Sequence, residues 1–232
     1  MTVTSIPPSS IRAPGAGPGV IQRAGLASVI VVGPLSIAVL RALLPYNTTD
    51  NAATTTAKVA AHQGAQNATL WLTLIAMVTL VPGVIAVGLL ASRRARILGT
   101  WGMALAVAGF SLLWATTTTD FAALAGARSG IGAAATTALL DNLNASPPMS
   151  AATTAFIAGH ILGTVLLGAA LLRTRTIPAW AAWALTISQP LHFVFAVMTP
   201  VRALDAAAWG LTTVAFAAAA RTITAKPRQT AQ

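Results

Sequence analysis

Residues 68–97 read ATLWLTLIAMVTLVPGVIAVGLLASRRARI. From Ala68 to Ala91 there is no charged side chain, and at 1.5 Å of rise per residue a helix over that stretch is roughly 36 Å long. That exceeds the ~30 Å hydrocarbon layer of a bilayer, so the run is predicted to cross a membrane. Arg93, Arg94 and Arg96 stop it. Pro82-Gly83 in its middle predicts a kink, because in lipid neighbouring helices re-satisfy the carbonyl that proline frees.

Carried outward in both directions, the same reading finds five more spans, over residues 24–44, 98–117, 151–172, 178–199 and 204–220. Pro34 lies inside the first. Trp101 and Trp114 sit near opposite ends of the third, and Trp180 and Trp183 in the first turns of the fifth, where an amphipathic indole favours the headgroup level. Arg173 and Arg175 close the fourth span; Arg221, Lys226 and Arg228 follow the sixth. The expected fold is therefore all-α, a polytopic transmembrane bundle of six helices within residues 20–220. Residues 1–19, built of Ser, Pro and Gly with little to bury, are expected to form a disordered cytoplasmic tail, and residues 221–232 a short basic cytoplasmic tail.

Composition agrees. Of 232 residues, 56% are hydrophobic and 8% charged, whereas about a quarter of an ordinary soluble domain is charged. Fourteen Lys plus Arg against four Asp plus Glu give a net +10. These cations flank apolar runs instead of forming a patch, so no nucleic-acid partner is expected. The chain has no cysteine, which excludes disulfides, thiolate nucleophiles and cysteine-ligated metal or haem centres.

Sorting the cations orients the bundle. With the N-terminus in the cytoplasm, the inner side receives Arg12, Arg23, Arg93, Arg94, Arg96, Arg173, Arg175, Arg221, Lys226 and Arg228, and the outer side Arg41, Lys58, Arg128 and Arg202, ten against four. The positive-inside rule then predicts a multi-pass protein of the cell membrane with both termini cytoplasmic. All four acids, Asp50, Asp120, Asp141 and Asp205, fall on the outer side, and none is expected deep within a span.

Residues 120–150 are long enough to cross but carry Arg128 and are dominated by Ala, Gly and Thr. A seventh span there would also put Arg173 and Arg175 outside. Phe121, Leu124, Ile131, Ala135 and Leu139 recur at helical intervals, so the expectation is an additional outer interfacial helix, ended by Pro147-Pro148. A shorter outer extension of span two is expected between Pro45 and Asn67.

At Pro45-Tyr46, Val59-Ala60-Ala61-His62 and Val81-Pro82-Gly83 the chain resembles a broad group of uncharacterised six-helix integral membrane proteins of actinobacteria, over most of residues 20–220. That resemblance implies the six-helix fold and transfers no activity, cofactor or residue role.

The residues able to do chemistry are three histidines. His160 lies nine residues into span four and His192 seven residues before the end of span five, so both are expected about 10–13 Å below the same outer surface. His62 stands at the outer approach to span two. Ionisable groups within a span are functional candidates. The rings are read as hydrogen-bonding across the bundle to Gln189, Ser188 or Thr164; as metal ligands (His62, His160 and His192) completed by Asp50, Asp120, Asp141 or Asp205; as a cofactor site with His160 and His192 as axial haem ligands; or as a proton or solute route. Gly159 and Gly163 form a GxxxG pair around His160, read as a helix-packing seat. The functional classes left open are a transport protein, a histidine-based metal- or haem-binding protein, and an accessory protein of other membrane subunits. The lipid bilayer is the partner common to all three, and no cofactor or substrate is named.

Overall fold

A computed structural model describes residues 19–225, which are helical apart from short connections. The tail expected over residues 1–19 lies, Gly19 apart, outside the described residues. So do residues 226–232, while residues 221–224 continue the last helix. The helices are α1 (Val20–Leu43), α2 (Ala52–Ala61), α3 (Gln63–Ser92), α4 (Arg96–Ser111), α5 (Leu113–Ser129), α6 (Ala133–Ala145), α7 (Pro147–Thr174), α8 (Ala179–Phe193) and α9 (Arg202–Thr224), with one π-helical turn, Val194–Met198, continuing α8. Among the described residues six stretches are long and apolar enough to cross a membrane: α1, α3, α4 continued by α5, α7, α8 with its π turn, and α9. The protein is thus an all-α, six-span membrane bundle.

Packing runs from α1 to α3, α4, α7, α8 and α9 and returns to α1, so the six spans close a ring in chain order. Short connections, residues 93–95 and 175–178, join spans at one end, the turn end, where both ends of the described chain also lie. At the opposite, cap end sit α2, the last turns of α5, and α6, which pack on one another and on Leu70 of α3 through Ala52, Val59, Ala123, Leu124 and Leu140. Apolar side chains such as Val87, Leu167, Leu171, Leu185 and Phe216 fill the turn half of the ring.

Between α4 and α7 that packing is backbone against backbone. A Cβ on Gly163 would stand 2.3 Å from the Ala106 amide nitrogen, and one on Gly109 would stand 2.3 Å from that of His160. The GxxxG pair is therefore a close-approach seat, matched on α4 by Gly102, Ala106 and Gly109.

The third span departs most from expectation. It runs from Arg96 to Ser129, well past residue 117, and its regular helix is interrupted at Leu112, whose N–H is shared between the carbonyls of Gly109 and Phe110. Residues 120–129 are therefore its final turns and not the start of an interfacial helix. The single helix expected over 120–150 is instead a hairpin, broken where Gly130 and Gly132 take φ of +73° and +88°, values that favour glycine. Of its predicted apolar face only Leu124 is buried; Phe121, Ile131, Ala135 and Leu139 are exposed. Thirteen-residue α6 is about 20 Å long and too short to span. Pro147 and Pro148 open α7 at its first positions, where a missing N–H costs nothing.

Candidate functional site

Inside the cap half of the ring is a cavity of about 290 Å³. Leu80, Phe110, His160 and Trp209 line its deep part, Arg41 and His192 one wall, and Tyr46, Asp120 and Asn144 the region nearest the cap helices.

His160 is buried, thirteen residues into α7. Its Nδ1 lies 2.6 Å from the carbonyl oxygen of Phe156 one turn earlier. A carbonyl only accepts, so Nδ1 carries the proton and donates, and Nε2 is a bare acceptor with no partner among the described residues. The ring stacks on Phe156 at 4.4 Å between centroids and has Phe110 at 5.5 Å, His192 at 5.8 Å and Trp209 at 6.5 Å around it.

His192 projects from α8 just before the π turn, whose signature is the Thr199 N–H donating to Val194 five residues back at 2.8 Å. Pro190 has already removed one amide from this helix, and the wider turn follows it. Nδ1 of His192 bonds Asp205 of α9, whose other carboxylate oxygen takes Nε of Arg41 from α1; Arg41 also donates to Thr48 at 2.7 Å. Three spans thus meet at one carboxylate that is fully buried.

A second cluster lines the same cavity nearer the cap. Asp120 on α5 accepts from the Tyr46 hydroxyl and from Nε2 of Gln66 at 3.0 Å, and no cation is paired with it among the described residues. Burial pushes the Tyr46 phenol well above its usual range, with the charge of Asp120 acting in the same direction. At the rim, Asp50 holds Lys58 at 2.6 Å. Burial works to raise the Asp50 carboxyl, but the bonds from Lys58 and the Asn47 N–H outweigh it, and the net shift is downward.

His160 and His192 come together as their depths imply. His62 does not join them: it is exposed at the α2–α3 junction, its Nδ1 3.0 Å from the Lys58 carbonyl, and does not line the cavity. The expected partners of the rings are also different. Gln189, Thr212 and Ser188 bond one another at 2.8 Å between α8 and α9, away from the imidazoles. Of the four acids, only Asp205 bonds a histidine. Among the described residues no group of three or more His, Asp or Glu is disposed around one metal ion. A haem would have to fit between rings 5.8 Å apart against which Phe110, Phe156 and Trp209 already pack.

The sequence does not single out Arg41, Tyr46 or Gln66, and it offers Asp120 and Asp205 only as two of four acids able to complete a metal site. Asp205 is three residues into α9 and so reads as a span-end charge; the cover provided by α1 and α8 is what buries it. Tyr46 carries a weak signal as the chain's single tyrosine, next to Pro45. No protein-family model, curated protein or solved structure matches the chain.

Proposed function

We propose that this is a solute-binding membrane protein of transport type, which takes a small molecule into the cavity from the cap end. The observation that carries the reading is the cavity itself. At about 290 Å³ it falls at the small end of ligand sites, mostly apolar with a few convergent polar groups, and it is walled by ionisable residues that a purely structural bundle would gain nothing by burying. The π turn, through Ala196 and Val197, and the residues flanking the helix interruption at Leu112, Phe110 and Leu113, line the cavity, and departures of this kind from regular helix often mark functional sites. The packed turn half closes the opposite end, as in one state of an alternating-access cycle. The ten-to-four division of cations supports a cap end that faces outward and termini that are cytoplasmic.

The chain lacks cysteine, so single-cysteine variants report directly. Thr117 is buried and lines the cavity. Thr117→Cys should react with a charged, membrane-impermeant methanethiosulfonate added to intact cells, and also, more slowly, when the reagent meets the other face in inverted vesicles. Reaction from the cap face alone would leave a binding protein that does not translocate, and reaction from neither face would remove the cavity.

A further inference from the structure

We infer that the cavity is built for a small organic monocation, an ammonium head on a compact apolar or aromatic body, with the head at Asp120. This rests on the solute-binding reading above and names its ligand class.

Charge at the cavity wall points this way. Among the described residues Arg41 is the only Lys or Arg lining it, and its charge is already compensated: Nε bonds the Asp205 carboxylate and one terminal nitrogen bonds Thr48. An anionic ligand would have to share that charge with the buried carboxylate that already neutralises it. Asp50 is held by Lys58, and Arg202 is exposed and donates to the Leu44 carbonyl at 2.6 Å. With these matched, Asp120 is the lining acid that has no cation of its own among the described residues, only the neutral donors Tyr46 and Gln66. A carboxylate within a membrane bundle must hold either a proton or a cation, because leaving its charge uncompensated there costs several kcal/mol.

Hydrogen-bonding capacity points the same way. The hydroxyls of Thr73, Thr116, Thr117 and Thr119 all line the cavity, and each spends its proton on a carbonyl of its own chain three or four residues back, at 2.9–3.0 Å. What they retain is oxygen lone pairs. His160 contributes another acceptor, since the Phe156 carbonyl fixes its proton on Nδ1. Although Arg41 and Asn144 add donors to the lining, these acceptors favour a ligand that donates. Aromatic faces from Tyr46, Phe110, Phe156 and Trp209 line the same space and suit a cation and an aromatic body alike. The volume, far beyond that of a bare ion, selects an organic one.

The test uses the full-length Thr117→Cys protein in detergent, reacted with neutral methyl methanethiosulfonate at constant ionic strength. The probes are benzylammonium, its neutral near-isostere benzyl alcohol, and the anion benzoate. Benzylammonium should slow modification saturably, benzyl alcohol should need higher concentrations, and benzoate should not protect. Adding Asp120→Asn should weaken the benzylammonium effect about tenfold or more, as expected for losing a charged hydrogen-bond partner, and leave that of benzyl alcohol unchanged. If Asp120→Asn fails to fold, the ranking of the three probes against native Asp120 decides by itself. Equal protection by all three, strongest protection by benzoate, or no protection of a reactive cysteine overturns the monocation assignment. A cysteine that does not react at all overturns the cavity, and with it the solute-binding reading.

Discussion

Asp205→Ala should be the most damaging single truncation of a charged side chain in this bundle. The carboxylate is fully buried and is shared by Nε of Arg41 and Nδ1 of His192. Removing one partner of a buried ion pair typically costs about 3–5 kcal/mol, mostly the penalty of stranding the other charge. Arg41 keeps its bond to Thr48 and has a side chain 15% exposed, so some water reaches it and the lower figure applies, about 3 kcal/mol. For a chain of this size that corresponds to a fall in melting temperature of roughly 6–12 °C. Thermal unfolding in detergent, followed by the fluorescence of the six tryptophans, measures it. Arg41→Leu should cost less, because His192 can still bond Asp205. Combining Asp205→Leu with Arg41→Leu should recover part of the loss, since neither charge is then stranded. An Asp205→Ala protein that melts with the parent, or a double variant at least as unstable as the sum of its singles, would show that no such cluster forms.

Tyr46 is the chain's only tyrosine, so its ionisation can be followed by absorbance without ambiguity. Its folded-state pKa is raised, so its contribution to stability is complete below the ordinary phenol value of about 10 and is lost as pH rises through the folded value. The phenolate band should therefore stay absent at pH 10 in folded protein and appear together with unfolding; a normal titration in protein that remains folded would refute the buried Tyr46–Asp120 contact. Gly163→Ala places a methyl 2.3 Å from the Ala106 backbone and should destabilise by about 1–3 kcal/mol, whereas Gly210→Ala, with nothing within 4 Å in mid-α9, should stabilise by about 0.5–1 kcal/mol. Equal melting shifts for the two would mean that α4 and α7 do not meet backbone to backbone. For orientation, cysteines introduced at Asn51 and Asn144 should label in intact cells and one at Arg94 should be protected; labelling at Arg94 alone would invert the topology.

The histidine pair was legible because depth along a helix can be counted from its ends. Residues 120–150 were misread for a related reason. Period-3.6 counting assumes an unbroken helix, and it was carried across Gly130 and Gly132, whose positive φ ends one helix and starts another. Sequence periodicity does not fix rotation against the bundle either: Phe121, Ile131, Ala135 and Leu139 form the apolar side of the expected interfacial helix, whereas the side of α6 that packs on the protein carries Thr136 and Leu140, one position further round.

What the chain alone determines is the solvent it folds in and the number of times it crosses. Six apolar runs of sufficient length, most of them flanked by arginines, have only one low-energy way to satisfy their backbone amides in hydrocarbon, and that is as helices. Which polar groups meet inside the bundle is a property of ring closure. Arg41 and Asp205 are 164 positions apart and Tyr46 and Asp120 are 74 apart, and nothing in either local sequence names the other. They become partners because Gly109, Gly159 and Gly163 let α4 and α7 approach closely, because α9 returns to α1, and because helix rotation then turns each charge toward its match. Lipid tails exert no preference among apolar faces, so that rotation is set by close packing and by the cost of an unpaired charge, both of which exist only in the assembled bundle.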